Sequence, residues 1–233
     1  MFKPFVLLLA ILLCVSVVVA DDDNGSTEIQ EANAPVGDPY LIKFRVNLGQ
    51  KKKGDVVIEV YPEWAPLAAE RMKELMEENF FSSARFFRVL PGFMVQWGLP
   101  AKAEVAASWR NKIMRDEPVL KSNTRGYLSF AAAGKNSRTT QMFINYGDNS
   151  RLDSTGFTPF AKVIKGMDVV DSIYPEYREK PEQNMIQSNG NRYLKKIFPK
   201  LSYIEAAEFI SERPTDLDPD DDVVAAESVV AEL

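Results

Sequence analysis

Histidine is absent from this 233-residue sequence, and cysteine occurs once, at Cys14. Without histidine the protein cannot contain a Ser-His-Asp triad, a Cys-His catalytic pair or a histidine-ligated metal. Because Cys14 lies in an apolar N-terminal run, the rest of the chain has no thiol for an internal disulfide or a thiolate metal site. Any catalysis must depend on arginine, amides, apolar surface and substrate positioning, and we expect neither a metal nor a cofactor.

The N-terminus has the features of a secretory signal peptide. Lys3 precedes an almost wholly apolar stretch at 5–19, and Val18-Val19-Ala20 offers small residues before Asp21. We therefore predict a signal peptide at 1–20. The alternative is an uncleaved anchor, but a bilayer-spanning helix needs about 20 apolar residues. After cleavage we expect no membrane span and a destination in the endoplasmic reticulum lumen, the periplasm or the exterior.

Both ends of the remaining chain are acidic. Residues 21–38 carry six acidic and no basic side chains, and 212–233 carry eight acidic side chains and one arginine. This composition predicts a disordered linker and a disordered tail. Residues 39–211 are basic, with 26 Lys and Arg against 19 Asp and Glu, and are long enough for one core. The leader and the lack of an aromatic-basic motif argue against nucleic-acid binding.

The hydrophobic pattern of 39–211 predicts mainly strands. Alternating residues at 41–48 and 55–61, separated by a polar turn at 50–54, predict a hairpin. Helical spacing predicts helices at 66–78 and 169–173. Further short strands are predicted at 84–90, 93–97, 127–130, 142–144, 160–163 and 201–205. Many short strands with one early and one late helix fit an all-β fold, a closed antiparallel barrel.

Two motifs occur in order within this domain. Residues 86–98 read FFRVLPGFMVQWG and set one arginine among apolar residues, and residues 126–134 read GYLSFAAAG, followed by QMFIN at 141–145. The pair resembles the two signatures of cyclophilin-type peptidyl-prolyl isomerases, and the resemblance runs from about residue 38 to about residue 210. It implies an isomerase domain at 39–211, built as a closed eight-stranded antiparallel barrel capped by helices.

The resemblance also implies roles for individual residues. Arg88 matches the catalytic arginine, with Gln96 and Gln141 orienting it and the substrate carbonyl. The implied substrate-binding residues, which form the proline pocket, its apolar wall and the path of the bound peptide, are Phe93, Met94, Ala131, Ala132, Ala133, Gln141, Phe143, Leu152 and Phe157. The implied partners are proline-containing peptides and unfolded or folding proteins, bound by a monomer.

The chemistry of proline isomerisation suits these residue types. Rotation about an X-Pro bond takes roughly 10 to 100 seconds without a catalyst. A catalyst needs an apolar pocket for the ring and a cation that can hydrogen-bond the developing nitrogen lone pair. Arg88 can supply that donor because its guanidinium stays charged. The alternative interpretation of Phe93, Met94 and Phe143 is that they are ordinary core residues.

Several positions depart from the family pattern. Phe87 and Phe157 stand where many members have histidine, Met142 replaces a usual phenylalanine, and Arg151 stands where many have an aromatic residue. Arg151 puts tight binding of cyclosporin-like cyclic peptides in doubt. We expect Trp109, in a loop that also departs, to serve packing before substrate contact. Two functions follow: an active isomerase assisting folding in the secretory route, or a catalytically weak proline-peptide-binding chaperone or docking module.

Overall fold

A computed structural model describes residues 37–217 of the chain. The predicted signal peptide at 1–20, almost all of the predicted linker at 21–38, and residues 218–233 of the predicted tail lie outside the described residues. Within 37–217, no helix is long and apolar enough to cross a bilayer.

Eight antiparallel strands form one curled sheet with the order β3-β4-β6-β5-β7-β2-β1-β8. The alternation predicted for β1 and β2 is observed, since Ile42 and Phe44 are buried and pair with Ile58 and Val56. The predicted antiparallel sheet of eight strands is therefore confirmed. The strands are β1 Tyr40–Gly49, β2 Lys52–Val60, β3 Arg88–Leu90, β4 Met94–Trp97, β5 Tyr127–Phe130, β6 Met142–Asn145, β7 Pro159–Lys165 and β8 Tyr203–Ile210.

Closure of the barrel, which the sequence predicted, is not confirmed. β3 and β8 are the two ends of the sheet, and no ladder joins them in the described part of the chain. The segment just before β3 does reach β8: Arg85 forms an isolated bridge with Tyr203, and Ser83 donates its N–H to the Ile204 carbonyl at 2.8 Å. The strand predicted at 84–90 is therefore shorter than expected, because only residues 88–90 pair with β4.

Five α-helices lie within residues 37–217, where two were predicted. The predicted helices appear as α1 and α3, whereas the other three have only seven residues each and carry little periodic signal. α1 begins at Pro66, and the Glu117 carboxylate accepts the N–H groups of Leu67 and Ala68. The helices are α1 Pro66–Glu77, α2 Ala103–Trp109, α3 Met167–Asp171, α4 Gln183–Asn189 and α5 Asn191–Ile197, with a 3-10 helix η1 at Ser150–Thr155.

The main hydrophobic core lies between α1 and the sheet. Met72 and Leu75 of α1 are fully buried with Phe44 and Trp97 of the strands. Trp109 is 2% exposed, which confirms the packing role expected for it. A second cluster lies apart from this core and holds the segment that carries α4 and α5. Its buried members are Phe87, Leu99, Ile186, Leu194, Phe198 and Leu201.

The first residues of the predicted tail lie against the domain. Arg213 forms an ion pair with Glu59 of β2, and Lys165 at the end of β7 pairs with Asp216 at 2.6 Å. Asp216 is 74% exposed in that pair, whereas the Glu59 side chain is 13% exposed.

Candidate active site

The register of three neighbouring strands places the motif residues on one face of the sheet. Arg88 of β3 lies opposite Gln96 of β4, and Gln96 lies opposite Phe143 of β6. Directly opposed residues of antiparallel strands point to the same side. Val95 and Trp97 of β4 join the core instead, because successive side chains of a strand alternate between its two faces.

On this face lies a groove with a volume of about 300 Å³. It brings together all eleven residues that the family resemblance assigned to catalysis and substrate binding. Three further residues, Ser137, Thr139 and Gln183, also line it. The eleven are Arg88, Phe93, Met94, Gln96, Ala131, Ala132, Ala133, Gln141, Phe143, Leu152 and Phe157.

A chain of polar side chains runs along the groove from Arg88. Its Nη1 donates to Gln96 Oε1 at 3.3 Å, and Gln96 Nε2 donates to Gln141 Oε1 at 2.9 Å. The backbone carbonyl of Gln141 accepts the N–H of Ala131 at 2.8 Å. Arg88 also donates from Nε to the Glu179 carboxylate at 3.0 Å, and its side chain is 32% exposed. A partly exposed cation thus stands at the end of a hydrogen-bonded amide pair.

Beside this chain the groove is apolar. Met94 and Phe143 are 2% and 5% exposed. The Phe157 ring meets Phe143 edge to face at a centroid distance of 5.7 Å, and Leu152 approaches from η1. These side chains are largely buried in the protein, and they also line the cavity. They are therefore not only ordinary core residues.

Arg151 changes one rim of the groove. Its guanidinium carbon lies 4.9 Å from the centroid of the Phe93 ring, a cation-π contact. Where many family members present a flat aromatic surface, this chain presents a charge that already covers one aromatic wall. That cyclosporin-like cyclic peptides bind weakly here stays a prediction.

A buried polar network centred on Asn123 supports the apolar side of the groove. Asn123 Nδ2 donates to Asp153 at 2.7 Å and to the Phe157 carbonyl at 2.7 Å, and Asn123 Oδ1 accepts from Ser129 and Asn145. Partial burial opposes ionisation of Asp153, but hydrogen bonds from Ser122 and Asn123 outweigh it and lower the pKa of its carboxyl. The network ties η1 to β5 and β6.

Asn149 extends this support to the opposite wall. Its Nδ2 donates to the Phe93 carbonyl and to Asn145 Oδ1, each at 2.8 Å. The backbone of Phe93 is thereby tied to the same polar network as the backbone of Phe157.

Sequence reasoning missed Glu179, Gln183 and Asn123. Glu179 and Arg88 are 91 positions apart, and neither Glu179 nor Gln183 lies in a motif. Asn123 stands alone in a loop, and only the four hydrogen bonds of its buried side chain identify it. No signal in the sequence could have found these three residues.

These residues form an apolar pocket with a cation beside it, which has the chemistry to accommodate a small apolar ring next to a charged hydrogen-bond donor. No group of three or more His, Cys, Asp or Glu in residues 37–217 could hold a metal ion.

The comparisons with known proteins identify the family. Residues 43–189 match the family described as cyclophilin type peptidyl-prolyl cis-trans isomerase/CLD. A peptidyl-prolyl cis-trans isomerase of Acinetobacter baylyi is 36% identical over 143 residues, covering 57% of this chain and 71% of that protein. Peptidyl-prolyl cis-trans isomerase B of Escherichia coli is 34% identical over 141 residues, covering 57% and 83%. The chain belongs to the cyclophilin-type peptidyl-prolyl isomerase family.

A solved structure supports the fold. The crystal structure of a cyclophilin type peptidyl-prolyl cis-trans isomerase from Cryptosporidium parvum covers 75% of this chain and 99% of its own, with a TM-score of 0.54 and 20% identity. The curled eight-stranded sheet is therefore cyclophilin-like.

Proposed function

We propose that this chain catalyses rotation about X-Pro bonds, with the proline ring in the apolar pocket and Arg88 as the catalytic cation. One observation carries the proposal: of the described side chains that line the groove, Arg88 alone is charged. In the twisted state, about 18 to 20 kcal/mol above the ground state, amide resonance is lost and the nitrogen lone pair becomes an acceptor. A preorganised charged donor stabilises that state more than the planar one.

The other groove residues receive supporting roles. Phe93, Met94, Phe143, Leu152 and Phe157 hold the ring. Gln96, which the family resemblance assigned to catalysis, positions Arg88 by accepting from its Nη1, and Gln141 in turn holds Gln96. Residues 131–133 lie along the bound peptide. Each tenfold increase in rate needs about 1.4 kcal/mol of preferential transition-state binding. One charged hydrogen bond together with the pocket contacts can therefore supply a rate enhancement of several powers of ten.

A protease-coupled assay on an Ala-Pro peptide tests the proposal. Arg88→Ala is expected to lower kcat/KM at least tenfold and to leave the melting temperature nearly unchanged, since the ion pair that it removes is solvent-exposed and worth about 0 to 1 kcal/mol. An equally active variant would contradict the catalytic assignment. A large fall in melting temperature would make Arg88 structural instead.

A catalytically weak binding module is the second candidate. Arg151 favours it, because a cation over the Phe93 ring stands where the family resemblance implies a flat aromatic surface. The same assay separates the two: a module of this kind binds proline peptides in a titration but accelerates their isomerisation little.

We also propose that the protein assists folding in the secretory route, acting as a monomer on unfolded or folding proteins with exposed X-Pro bonds. The apolar run at 5–19 and the small residues before Asp21 support this destination. Mass spectrometry of the mature protein from its native host tests it, with an N-terminus at Asp21 as the expected result.

A further inference from the structure

The chain between α3 and β8 forms a docked unit, residues 174–202, that carries α4 and α5. Ile186 and Leu194, from its two helices, are 1% and 2% exposed and pack in one cluster with Phe87. Asn191 donates its N–H to the Ala101 carbonyl at 2.8 Å and its Nδ2 to the Ser83 carbonyl at 2.9 Å. Apolar burial and directed hydrogen bonds together fix segment 174–202 against residues just before β3 and just after β4.

Segment 174–202 holds the residues on both sides of Arg88. Phe87 is 1% exposed within the second cluster. Val89 donates its N–H to the Arg178 carbonyl at 3.0 Å. The backbone that carries Arg88 is therefore clamped before and after the arginine by the same segment.

Glu179, the next residue after Arg178, contacts the Arg88 side chain itself. Its carboxylate accepts from Nε at 3.0 Å, while Gln96 accepts from Nη1 at 3.3 Å. The guanidinium is planar and rigid, so anchors at two of its nitrogens fix its orientation. Among residues 37–217, Nη2 has no hydrogen-bond partner, and it remains as a donor for a ligand in the groove.

We infer that Glu179, carried by segment 174–202, is a positioning residue for Arg88. This inference rests on the proposed function, in which Arg88 donates to the twisted X-Pro bond. Glu179 contacts Arg88 but is not among the residues that line the groove, so we assign it a role through Arg88. It engages the Nε edge of an arginine that still lines the groove, so the pair orients the cation and does not compete for the pocket.

Removal of the carboxylate should loosen Arg88 without unfolding the domain. In Glu179→Ala only Gln96 holds the guanidinium, which then samples more rotamers before each turnover. We expect kcat to fall two- to fivefold, equivalent to about 0.4 to 1 kcal/mol, with KM little changed. Glu179→Gln keeps an acceptor and should recover part of the loss. Glu176→Ala removes another exposed acidic side chain of the same segment and should match the wild type.

The experiment measures kcat and KM of the full-length variants with an Ala-Pro peptide, and repeats Glu179→Ala in the Arg88→Ala background. We expect equal melting temperatures for Glu179→Ala and Glu176→Ala, no further loss of rate in the double variant, and a shifted Arg88 Nε–H resonance in Glu179→Ala only. Wild-type kcat in Glu179→Ala overturns the inference, and a higher kcat identifies the pair as inhibitory and also overturns it.

Failure of the inference can be told from failure of the proposed function. An inactive wild type, or full activity in Arg88→Ala, overturns the proposed function and the inference with it. A rate that falls in Arg88→Ala but is unchanged in Glu179→Ala overturns the inference alone. If Glu179→Ala lowers kcat by the same factor in the Arg88→Ala background as in the wild type, Glu179 does not act through Arg88. That result also overturns the inference.

Discussion

At the scale of single residues, the groove combines one partly exposed charge with polar groups that are buried and hydrogen-bonded. Gln96 is 6% exposed and bonded at both ends of its amide, and Asn123 is fully buried with every side-chain polar atom bonded. A buried polar group without a partner costs about 1 to 3 kcal/mol. Such groups therefore have one preferred position, and the apolar walls attached to them are held in place.

Asp153 contributes to this network through its charge, so its effect on stability should depend on pH. The lowered pKa means that the ionised form is favoured in the folded protein. The Asp153 charge therefore contributes fully to the free energy of unfolding above the pKa of the unfolded chain, near 3.8. That contribution is lost as the pH falls through the lower pKa of the folded protein. We expect Asp153→Asn to lower the free energy of unfolding by about 1 to 2 kcal/mol at neutral pH.

Urea unfolding of Asp153→Asn and wild type at neutral pH and at about pH 3 checks this prediction. The difference should shrink at the lower pH, where the wild-type carboxyl begins to protonate. A deficit of the same size at both pH values would assign the effect to geometry and not to charge.

At the scale of elements, the central strands explain which site residues could be predicted. In β4 and β6, alternate residues serve the groove and the core: Met94 and Phe143 line the cavity, while Val95 and Ile144 are buried in the core. The family resemblance assigned Met94 and Phe143 to the pocket, and the two-residue period of a strand explains why their neighbours Val95 and Ile144 face the core. The Arg88–Glu179 pair spans 91 positions and depends on how α4 and α5 dock, which no local pattern encodes.

The sequence could not show whether the barrel closes, because closure also depends on contacts between distant segments. An alternating segment predicts a strand but does not say where its ladder stops. Residues 83–85 bond to β8, and only residues 88–90 pair with β4.

Gly98, directly after β4, shows how closely the elements approach behind the groove. Its φ is +101°, and an added Cβ would lie 2.2 Å from the Thr140 carbonyl oxygen and 2.7 Å from Gln141 Cα. We expect Gly98→Ala to lower the free energy of unfolding by about 2 to 4 kcal/mol, from backbone strain and overpacking together. Because Gln141 must shift, kcat/KM should also fall.

Gly49→Ala is the matched control, since Gly49 also has a positive φ of +83° but nothing within 4 Å of an added Cβ. It should cost about 1 kcal/mol and leave activity intact. Equal costs for the two variants in denaturant unfolding would show that the contact with residues 140 and 141 has no effect.

At the scale of the whole molecule, charge is divided between the domain and its ends. Residues 39–211 are basic and both flanks are acidic. The described start of the C-terminal flank is attached through Arg213, the one basic residue of 212–233, which pairs with a Glu59 carboxylate that also accepts from Tyr61 at 2.6 Å. Composition predicted an acidic, disordered tail from residue 212, and it could not show a specific contact made by a single arginine.

This attachment should be measurable as stability. Deleting 212–233 removes Arg213 and leaves the largely buried Glu59 side chain with a tyrosine hydroxyl alone, whereas deleting 218–233 keeps the ion pair. We expect the longer deletion to be less stable than the shorter one by about 1 kcal/mol, which lowers the melting temperature by about 2 to 4 °C. Full-length Arg213→Ala should reproduce most of the loss. The gap should narrow in about 1 M salt, where the Debye length is about 3 Å. Identical melting temperatures for the two deletions at low salt would show that residues 212–217 add nothing to the stability of the domain.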